Sequence, residues 1–308
     1  MASFDSHSFS TVPSGLPSRP ADRRLMELLA HARAGKRTLV MGILNVTPDS
    51  FSDGGSYHNP LQALERAEQM AAEGADILDI GGESSRPATF ASHAPLPVEE
   101  ELRRIIPVLE ALASRLPALP LSVDTYKAVV ARRAVEAGAA MINDISALRA
   151  DPAMVSTVSD LGVAVCLMHL PGLPTAILSD PGYDDVVQEV ADHLRERAAF
   201  CVAAGIVGEQ IILDPVIGFG KTVAQNLELL RRLRELTALG YPLLLGTSRK
   251  STIGTVLGGL PPEDRLEGTA ATVALSIANG AAIVRVHDVK EMARVVRMTD
   301  AIVRGWPL

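Results

Sequence analysis

The sequence predicts a single α/β domain, a (β/α)8 TIM barrel that follows an N-terminal extension. Eight short apolar runs each stop at a residue whose side chain can hydrogen-bond, ligate or carry charge, and a helix-like segment follows each run. Such continuously apolar strands are typical of parallel sheets, because helical crossovers bury both of their faces. A barrel of this kind needs about 250 residues, so a chain of 308 residues accommodates one barrel and not two.

The predicted elements follow one another in order. Residues 1–20 are rich in Ser and Pro and are expected to be a flexible extension, so that the catalytic domain spans residues 21–308. Apolar residues with helical spacing predict a helix over Ala21–Ala34 that covers the bottom of the barrel, and a second helix over Leu61–Glu73, which Gly74 ends. The predicted strands are Thr38–Leu44, Ile77–Ile80, Leu121–Val123, Ala140–Ile142, Val163–Met168, Ile211–Leu213, Leu243–Leu245 and Ile283–Val286.

Composition excludes several classes of partner. A net charge of -7 and a pI near 5.5 count against binding to nucleic acids and to anionic membranes, because both need an excess of Lys and Arg. An anionic ligand must therefore meet a local cluster of positive charge. Cys166 and Cys201 are the only cysteines, so neither a disulfide framework nor a cysteine metal site is expected. With no secretory signal and no long apolar run, the sequence predicts a cytoplasmic protein.

Eight polar residues are expected to surround one pocket, because the carboxyl ends of all barrel strands open onto one face. The apolar runs lead into Asn45, Glu83, Asp124, Asn143, His169, Asp214, Ser248 and His287. Two connections on this face, Thr47–Pro60 and Ser84–Pro97, are much longer than the 2 to 6 residues usual there. They are candidate lids, and the alternative is that they are idle surface loops.

Positive charge is concentrated at three of these strand ends. Lys250 begins a helix near Ser251, where backbone N–H groups favour an anion. Arg285 and His287 alternate along the last strand and therefore share one side of it. With Asn45 and Arg86 they form a set that matches a diphosphate. The alternatives are a solvated basic turn, a core histidine, and an arginine that pairs with an interior carboxylate.

Asp124, Asn143 and Asp214 bring two carboxylates and an amide to the same face. A buried carboxylate is costly unless a donor meets it. A flat heterocycle with an amino group beside a ring N–H would give Asp214 two parallel hydrogen bonds, and Lys250 would donate to a ring carbonyl. The alternative is that these acids pair only with Lys250 or with backbone N–H groups.

Seven segments, in order, resemble the dihydropteroate synthase family. The first is the longest, with 15 residues that begin at Met41. The segments are Met41–Gly55, Asp79–Pro87, Ser122–Thr125, Ile142–Asp144, Leu213–Pro215 with Gly218–Lys221, Ser248–Lys250 and Arg285–Asp288. The resemblance as a whole covers almost everything from Val40 to Val303.

The resemblance implies a barrel that joins p-aminobenzoate to hydroxymethyl-dihydropterin diphosphate in folate biosynthesis, with Mg²⁺ as cofactor and a homodimeric state. The aminobenzoate site is also where sulfonamides bind in this family. The implied pterin residues are Asp124, Asn143, Met168, Asp214, Phe219 and Lys250. The implied diphosphate residues are Asn45, Arg86, Arg285 and His287, with the metal near Asn45. The implied aminobenzoate residues are Phe51, Ser85, Pro87 and Ser248, with Lys250 beside them.

The physical interpretation agrees with this assignment. If diphosphate leaves before the amine attacks, catalysis consists of stabilising separated charges, with Arg285, His287 and Mg²⁺ at the leaving oxygens and Asp53 facing the cation. Lys250 completes the predicted catalytic set. Val216 stands where the family usually has Gly, and a β-branched residue does not easily adopt a positive φ, so a different local backbone is expected there. Pro171 stands where a polar residue is expected, so the backbone geometry of the loop after His169 is also left open.

Three other functions compete with this one. A pterin-dependent methyltransferase barrel would share the pterin pocket but would not need the segment from Ser248 to Lys250. A catalytically silent pterin-binding paralogue would be expected to lose loop or anion-site residues. A Schiff-base aldolase using Lys250 is disfavoured, because neighbouring carboxylates keep that lysine charged.

Overall fold

The computed structural model describes residues 19–47, 60–83, 95–173 and 182–306. In this part of the chain strands and helices alternate as the sequence predicts. The strands are β1 (Leu39–Asn45), β2 (Ile77–Gly81), β3 (Leu121–Asp124), β4 (Met141–Asp144), β5 (Ala164–Met168), β6 (Ile211–Asp214), β7 (Leu244–Leu245) and β8 (Ile283–Val286). The helices are α1 (Pro20–Arg33), α2 (Pro60–Glu73), α3 (Val98–Arg115), α4 (Ala128–Glu136), α5 (Met154–Leu161), α6 (Val186–Ala203), α7 (Val223–Arg231), α8 (Leu233–Leu236), α9 (Ser251–Val256), α10 (Leu266–Ala278) and α11 (Val289–Arg304).

The eight strands form one parallel sheet that closes into a barrel. Their order is β6-β5-β4-β3-β2-β1-β8-β7, so consecutive strands are neighbours and β1 pairs with both β2 and β8. Closure between β6 and β7 rests on a parallel bridge between Leu213 and Leu243, where the Leu213 N–H donates to Pro242 O at 3.0 Å. The predicted TIM barrel is confirmed.

Two apolar cores hold the barrel together. The larger core lies between the strands and the surrounding helices, and it includes Val286 of β8. The smaller core fills the lower interior, where Leu25 and Leu28 of α1 pack with Met41 and Ile77. Helix α1 therefore covers the bottom of the barrel, as its apolar spacing predicts.

The start of α1 is tied to the barrel by a residue of the predicted extension. The helix begins at Pro20, one position before the predicted start. Arg19 donates to Val135 O and Ala139 O, both at 2.8 Å, and pairs with Asp22. Residues 1–18 lie outside the described part, so the proposed extension stays a prediction.

Most strands reach one or two residues farther towards their carboxyl ends than predicted, and so include polar residues such as Asn45 and Asp124. Strands β5, β7 and β8 end at the predicted residue. Strand β7 is shorter than predicted at its start, because Leu243 makes only an isolated bridge and two residues remain in the strand. Among the described residues, no helix has the length and apolar content needed to cross a membrane.

Candidate active site

Arg285 is the centre of the polar network at the barrel mouth. Its Nε donates to Asp79 Oδ2 at 2.6 Å and its Nη2 to Asp124 Oδ2 at 3.0 Å. Burial alone would lower the pKa of Arg285, but the two carboxylates outweigh burial and raise it. These contacts confirm the alternative interpretation of the sequence, in which Arg285 pairs with an interior carboxylate. Val286 points to the helices, as the alternation predicts.

Asp79 is a functional candidate that the sequence analysis did not single out. Its side chain is completely buried, and besides Arg285 its Oδ2 accepts a hydrogen bond from Asn143 Nδ2 at 2.9 Å. Its Oδ1 has no hydrogen-bond partner within the described ranges. One acid therefore orients both a predicted diphosphate residue and a predicted pterin residue. In the sequence, Asp79 could have been recognised because it lies inside the apolar run Ile77–Ile80, where a buried carboxylate requires hydrogen-bond donors.

Asn45 and Asp124 lie on either side of Gly81. A Cβ at Gly81 would stand 3.6 Å from Asn45 Oδ1 and also 3.6 Å from Asp124 Cβ. The absence of a side chain thus leaves room between the ends of β1 and β3. Burial raises the pKa of Asp124 to about 7, while Arg285 opposes this shift and Asp79 reinforces it.

Asp214 stabilises a strained turn, and here the prediction about Val216 is wrong. Val216 adopts a φ of 52°, the left-handed conformation that the sequence analysis considered unfavourable for a β-branched residue. Its N–H donates to Asp214 Oδ1 at 2.8 Å, and its side chain packs with Met168 and Phe219. Hydrogen bonding and burial thus compensate a local strain of about 1–3 kcal/mol.

Lys250 lies beside Asp214 and over an aromatic ring. Its Nζ donates to Ile217 O at 2.7 Å and stands 4.5 Å from the centroid of the Phe219 ring. Burial lowers the pKa of Lys250 to about 8, although Asp214 acts in the opposite direction. Burial raises the pKa of Asp214 to about 6, against the Val216 N–H and Lys250. A carboxylate, an ammonium group and an apolar wall therefore meet in one corner.

Ser248 and His287 are joined by a pair of contacts that fixes the imidazole. The His287 N–H donates to Ser248 Oγ at 3.2 Å, and Ser248 Oγ lies 3.0 Å from His287 Nδ1. Since the hydroxyl accepts from the backbone, its own proton is available for Nδ1, which leaves the ring proton on Nε2. Burial and Arg285 lower the pKa of His287 to about 3, so the ring is neutral at pH 7.

His169 pairs with Lys221, which the sequence analysis quoted without a role. Lys221 Nζ lies 3.1 Å from His169 Nδ1, and both side chains are buried. Burial lowers the pKa of Lys221 to about 7, and Asp214 partly offsets this effect. The His169 N–H donates to Asp214 O at 2.8 Å, so the pair supports the strand end that carries Asp214. In the sequence, Lys221 could have been recognised by its position directly after Gly218-Phe219-Gly220.

Glu83 binds Leu96 near the end of the second long connection. Among the described contacts, it is not part of the hydrogen-bond network around Arg285. Its carboxylate accepts from Lys127 Nζ at 2.8 Å and from the Leu96 N–H at 2.9 Å. Phe51, Asp53, Ser85, Arg86 and Pro87 lie outside the described residues, as do most of the two long connections. The predicted roles of all five stay predictions.

The described site thus combines two kinds of recognition. One part, formed by Asp214, Lys250 and the Met168–Phe219 wall, fits a flat polar ring. The other, formed by Arg285, His287 and Asn45, offers donors to an anion. In the described residues no group of three or more His, Cys, Asp and Glu side chains is placed to hold a metal ion.

Comparison with known proteins identifies relatives that span most of the chain. The profile of the family described as "Pterin binding enzyme" matches residues 41–287. The dihydropteroate synthase of Bacillus subtilis (strain 168) is 49% identical over 267 residues, which are 87% of this chain and 89% of the relative. A dihydropteroate synthase structure from Clostridium difficile, determined with pteroic acid, has a TM-score of 0.81 and 49% identity and covers 88% of this chain and 98% of its own. That of Xanthomonas albilineans with 4-aminobenzoic acid has a TM-score of 0.80 and 48% identity, and covers 87% and 94%.

Proposed function

The chain belongs to the pterin-binding enzymes and, among them, to the dihydropteroate synthases, and from this premise we propose how its own side chains carry the reaction. The activity is that of a transferase in folate biosynthesis, which condenses p-aminobenzoate with hydroxymethyl-dihydropterin diphosphate and releases diphosphate. The observation that supports the assignment of residues is the position of Asp214, Lys250 and Arg285 at the barrel mouth, on or directly after the neighbouring strands β6, β7 and β8.

The pterin ring binds in the corner of Asp214 and Lys250. Asp214 accepts two parallel hydrogen bonds from the ring N–H and the amino group, and Lys250 donates to the ring carbonyl. Asn143 and Asp124 complete the polar edge, while Met168 and Phe219 contact the ring. This assignment is supported by the burial of Asp214, because a buried carboxylate needs donors and Asp214 receives only one described hydrogen bond, from Val216. Asn143, Met168 and Phe219 are buried as well.

The diphosphate binds on the side of Arg285 and His287. His287 is a neutral imidazole whose Nε2–H has no acceptor among the described residues, and Arg285 supplies a fixed positive charge held by Asp79 and Asp124. Both groups are oriented before the anion arrives, and preorganised donors are worth most where charge develops during the reaction. Arg86, on the second long connection, is proposed as a further diphosphate ligand.

Mg²⁺ fits this corner as an ion that arrives with the substrate. Asn45 Oδ1 is an oxygen ligand at the end of β1, next to the open space over Gly81. Mg²⁺ is usually held by one or two protein oxygens together with phosphate oxygens and water, which agrees with a single protein ligand here. When bound, it would neutralise charge on the phosphate oxygens.

The reaction follows a dissociative path. The bond between the pterin methylene carbon and the diphosphate oxygen breaks first, and the electron pair stays with the diphosphate. Arg285 and His287 stabilise the departing oxygens, and Asp53, on the first long connection, is proposed to stabilise the cation. The neutral amine of p-aminobenzoate, held by Phe51, Ser85, Pro87 and Ser248, then attacks the methylene carbon and loses its proton after the bond has formed. No strong general base is required.

We expect the purified protein to form dihydropteroate and to release diphosphate when the pterin diphosphate, Mg²⁺ and p-aminobenzoate are all present. Omission of p-aminobenzoate should abolish dihydropteroate formation, which chromatography of the products measures. A silent paralogue would bind the pterin tightly without turnover. A methyltransferase barrel would leave the diphosphate ester intact, so either result would contradict the proposed activity.

A homodimer is proposed through the exposed sides of α10 and α11. These helices pack against each other, and each carries large apolar side chains towards solvent, among them Leu275 (60% exposed) and Ile302 (71% exposed). Sedimentation velocity should give the mass of two chains, and Leu275→Glu with Ile302→Glu should give one. A monomeric unmodified protein would refute this interface.

Two buried free thiols, Cys166 and Cys201, agree with the proposed cytoplasmic location.

A further inference from the structure

A cavity separate from the proposed active site lies on the outside of the barrel, along α11 and beside the start of β1. It has a volume of about 840 Å³ and is formed where β1 begins, between the ends of α1 and α2 and one side of α11. Its charged lining residues are Lys36, Arg37, Glu73, Asp76, Lys290, Arg294, Arg297 and Asp300. We call this cavity the basal bowl.

The three carboxylates of the basal bowl are already neutralised by arginines. Asp76 pairs with Arg37 at 2.6 Å, and Asp300 pairs with Arg304 at 2.8 Å. Glu73 pairs with Arg66 at 3.2 Å. Since these acids are engaged, they are poorly placed to compensate the remaining cations of the lining.

Those remaining cations are Lys36, Lys290, Arg294 and Arg297. None of their side chains has a hydrogen-bond or ion-pair partner among the residues that the structure describes, and all four are exposed. This is unusual in a chain of net charge -7, whose exposed arginines commonly pair with a carboxylate three or four positions away, as Arg195 and Arg231 do.

Helix α11 carries its three unpaired cations at an energetic cost. Lys290, Arg294 and Arg297 follow at intervals of four and three residues and therefore share one helix face. Like charges at this spacing repel each other and destabilise a helix. Lys290 also lies in the first turn, where the helix dipole disfavours a cation. A bound anion would reverse each of these effects.

We propose that the basal bowl binds an oligophosphate, either inorganic or as the phosphate chain of a nucleotide. The cations of α11 extend over about 10 Å along the helix axis, at 1.5 Å per residue, so a single phosphate cannot reach them all. Arg294 and Arg297 offer planar forks suited to phosphate oxygens, and Lys36 faces the same space from the connection after α1. The wall between them is apolar, with Val40, Ala293 and Val296, and this reduces competition from water.

The test is calorimetric titration of the full chain with tripolyphosphate and, separately, with ATP, both without Mg²⁺ and at low salt. We expect one class of sites to weaken by about tenfold or more in the double variant Arg294→Ala, Arg297→Ala, because charge-assisted hydrogen bonds are lost. Tighter binding of ATP would identify a nucleotide, and tighter binding of tripolyphosphate an inorganic chain. Anion binding at Arg285 should be unchanged, since Arg285 does not line the basal bowl.

The matched control is the double variant Arg195→Ala, Arg231→Ala, which removes the same formal charge from exposed helices elsewhere. It should bind both ligands as the unmodified chain does. Dihydropteroate formation should be unchanged in both double variants, and both should remain folded at the assay temperature, which separates this proposal from the proposed catalytic function. Equal weakening in the two double variants, or no binding class that depends on Arg294 and Arg297, would overturn the proposal.

Discussion

Replacement of Asp214 by asparagine is expected to lower kcat/KM for the pterin diphosphate by about 10²- to 10⁴-fold, because two hydrogen bonds to a charged group are each worth about 1.5–3 kcal/mol. An amide can accept one of them, but its NH2 group then opposes the second donor of the ring. Asn remains able to accept the Val216 N–H, so the strained turn should survive. Steady-state kinetics and direct titration with the pterin measure the effect.

The pH dependence provides an internal check on this role. The pKa of Asp214 is raised to about 6 and that of Asp124 to about 7, so both lose negative charge as the pH falls through these values. In the unmodified protein kcat/KM should therefore fall towards acid with a slope that approaches two, and with a slope of one in Asp214→Asn. The control is Asp185→Asn at the exposed N-cap of α6, where Asn caps as well as Asp. Unchanged kinetics in Asp214→Asn would exclude this residue from the pterin site.

The convergence of the site was predictable because side-chain direction in a barrel follows the strand. A residue at the carboxyl end of an apolar run points into the mouth or towards the helices according to its parity, and Arg285 and Val286 obey this alternation. Eight strands in chain order therefore define which polar residues meet, and Asp124, Asn143, Asp214 and Arg285 do so in the structure. Closure needs no long-range information beyond strand order.

The pairings inside the site could not be predicted in the same way. Asp79 orients Arg285 and Asn143 from two different strands, and that depends on the stagger of β2, β4 and β8, which no local pattern records. The backbone of Val216 could not be predicted either, because the local sequence disfavours a positive φ there. One hydrogen bond to Asp214 and burial stabilise this conformation. Propensity describes the cost of a conformation but not the tertiary contacts that offset it.

Replacement of Asp79 by asparagine is expected to damage stability and catalysis together. Removing one member of a buried ion network costs about 3–5 kcal/mol, because the remaining charge is left without full compensation. Arg285 would keep only Asp124, and its guanidinium would no longer be held from two sides. We expect a lower thermal midpoint and, below the unfolding temperature, a loss in kcat with weaker diphosphate binding, since Asp79 orients Arg285, the group that we propose stabilises the leaving oxygens.

A loss of stability alone would not establish this positioning role, so the comparison must be with an acid at the other end of the barrel. Asp22 pairs with Arg19 at 2.8 Å below the barrel, and Asp22→Asn should lower stability without changing kcat at temperatures where the protein is folded. If Asp79→Asn also leaves kcat unchanged under those conditions, its carboxylate is only a structural partner of Arg285. Asp79 raises the pKa of Asp124, so the loss of its charge should lower that pKa and move the acid limb of the pH profile to lower pH. If kcat falls and the acid limb moves in this way, Asp79 controls the electrostatics of the reaction from beneath the site.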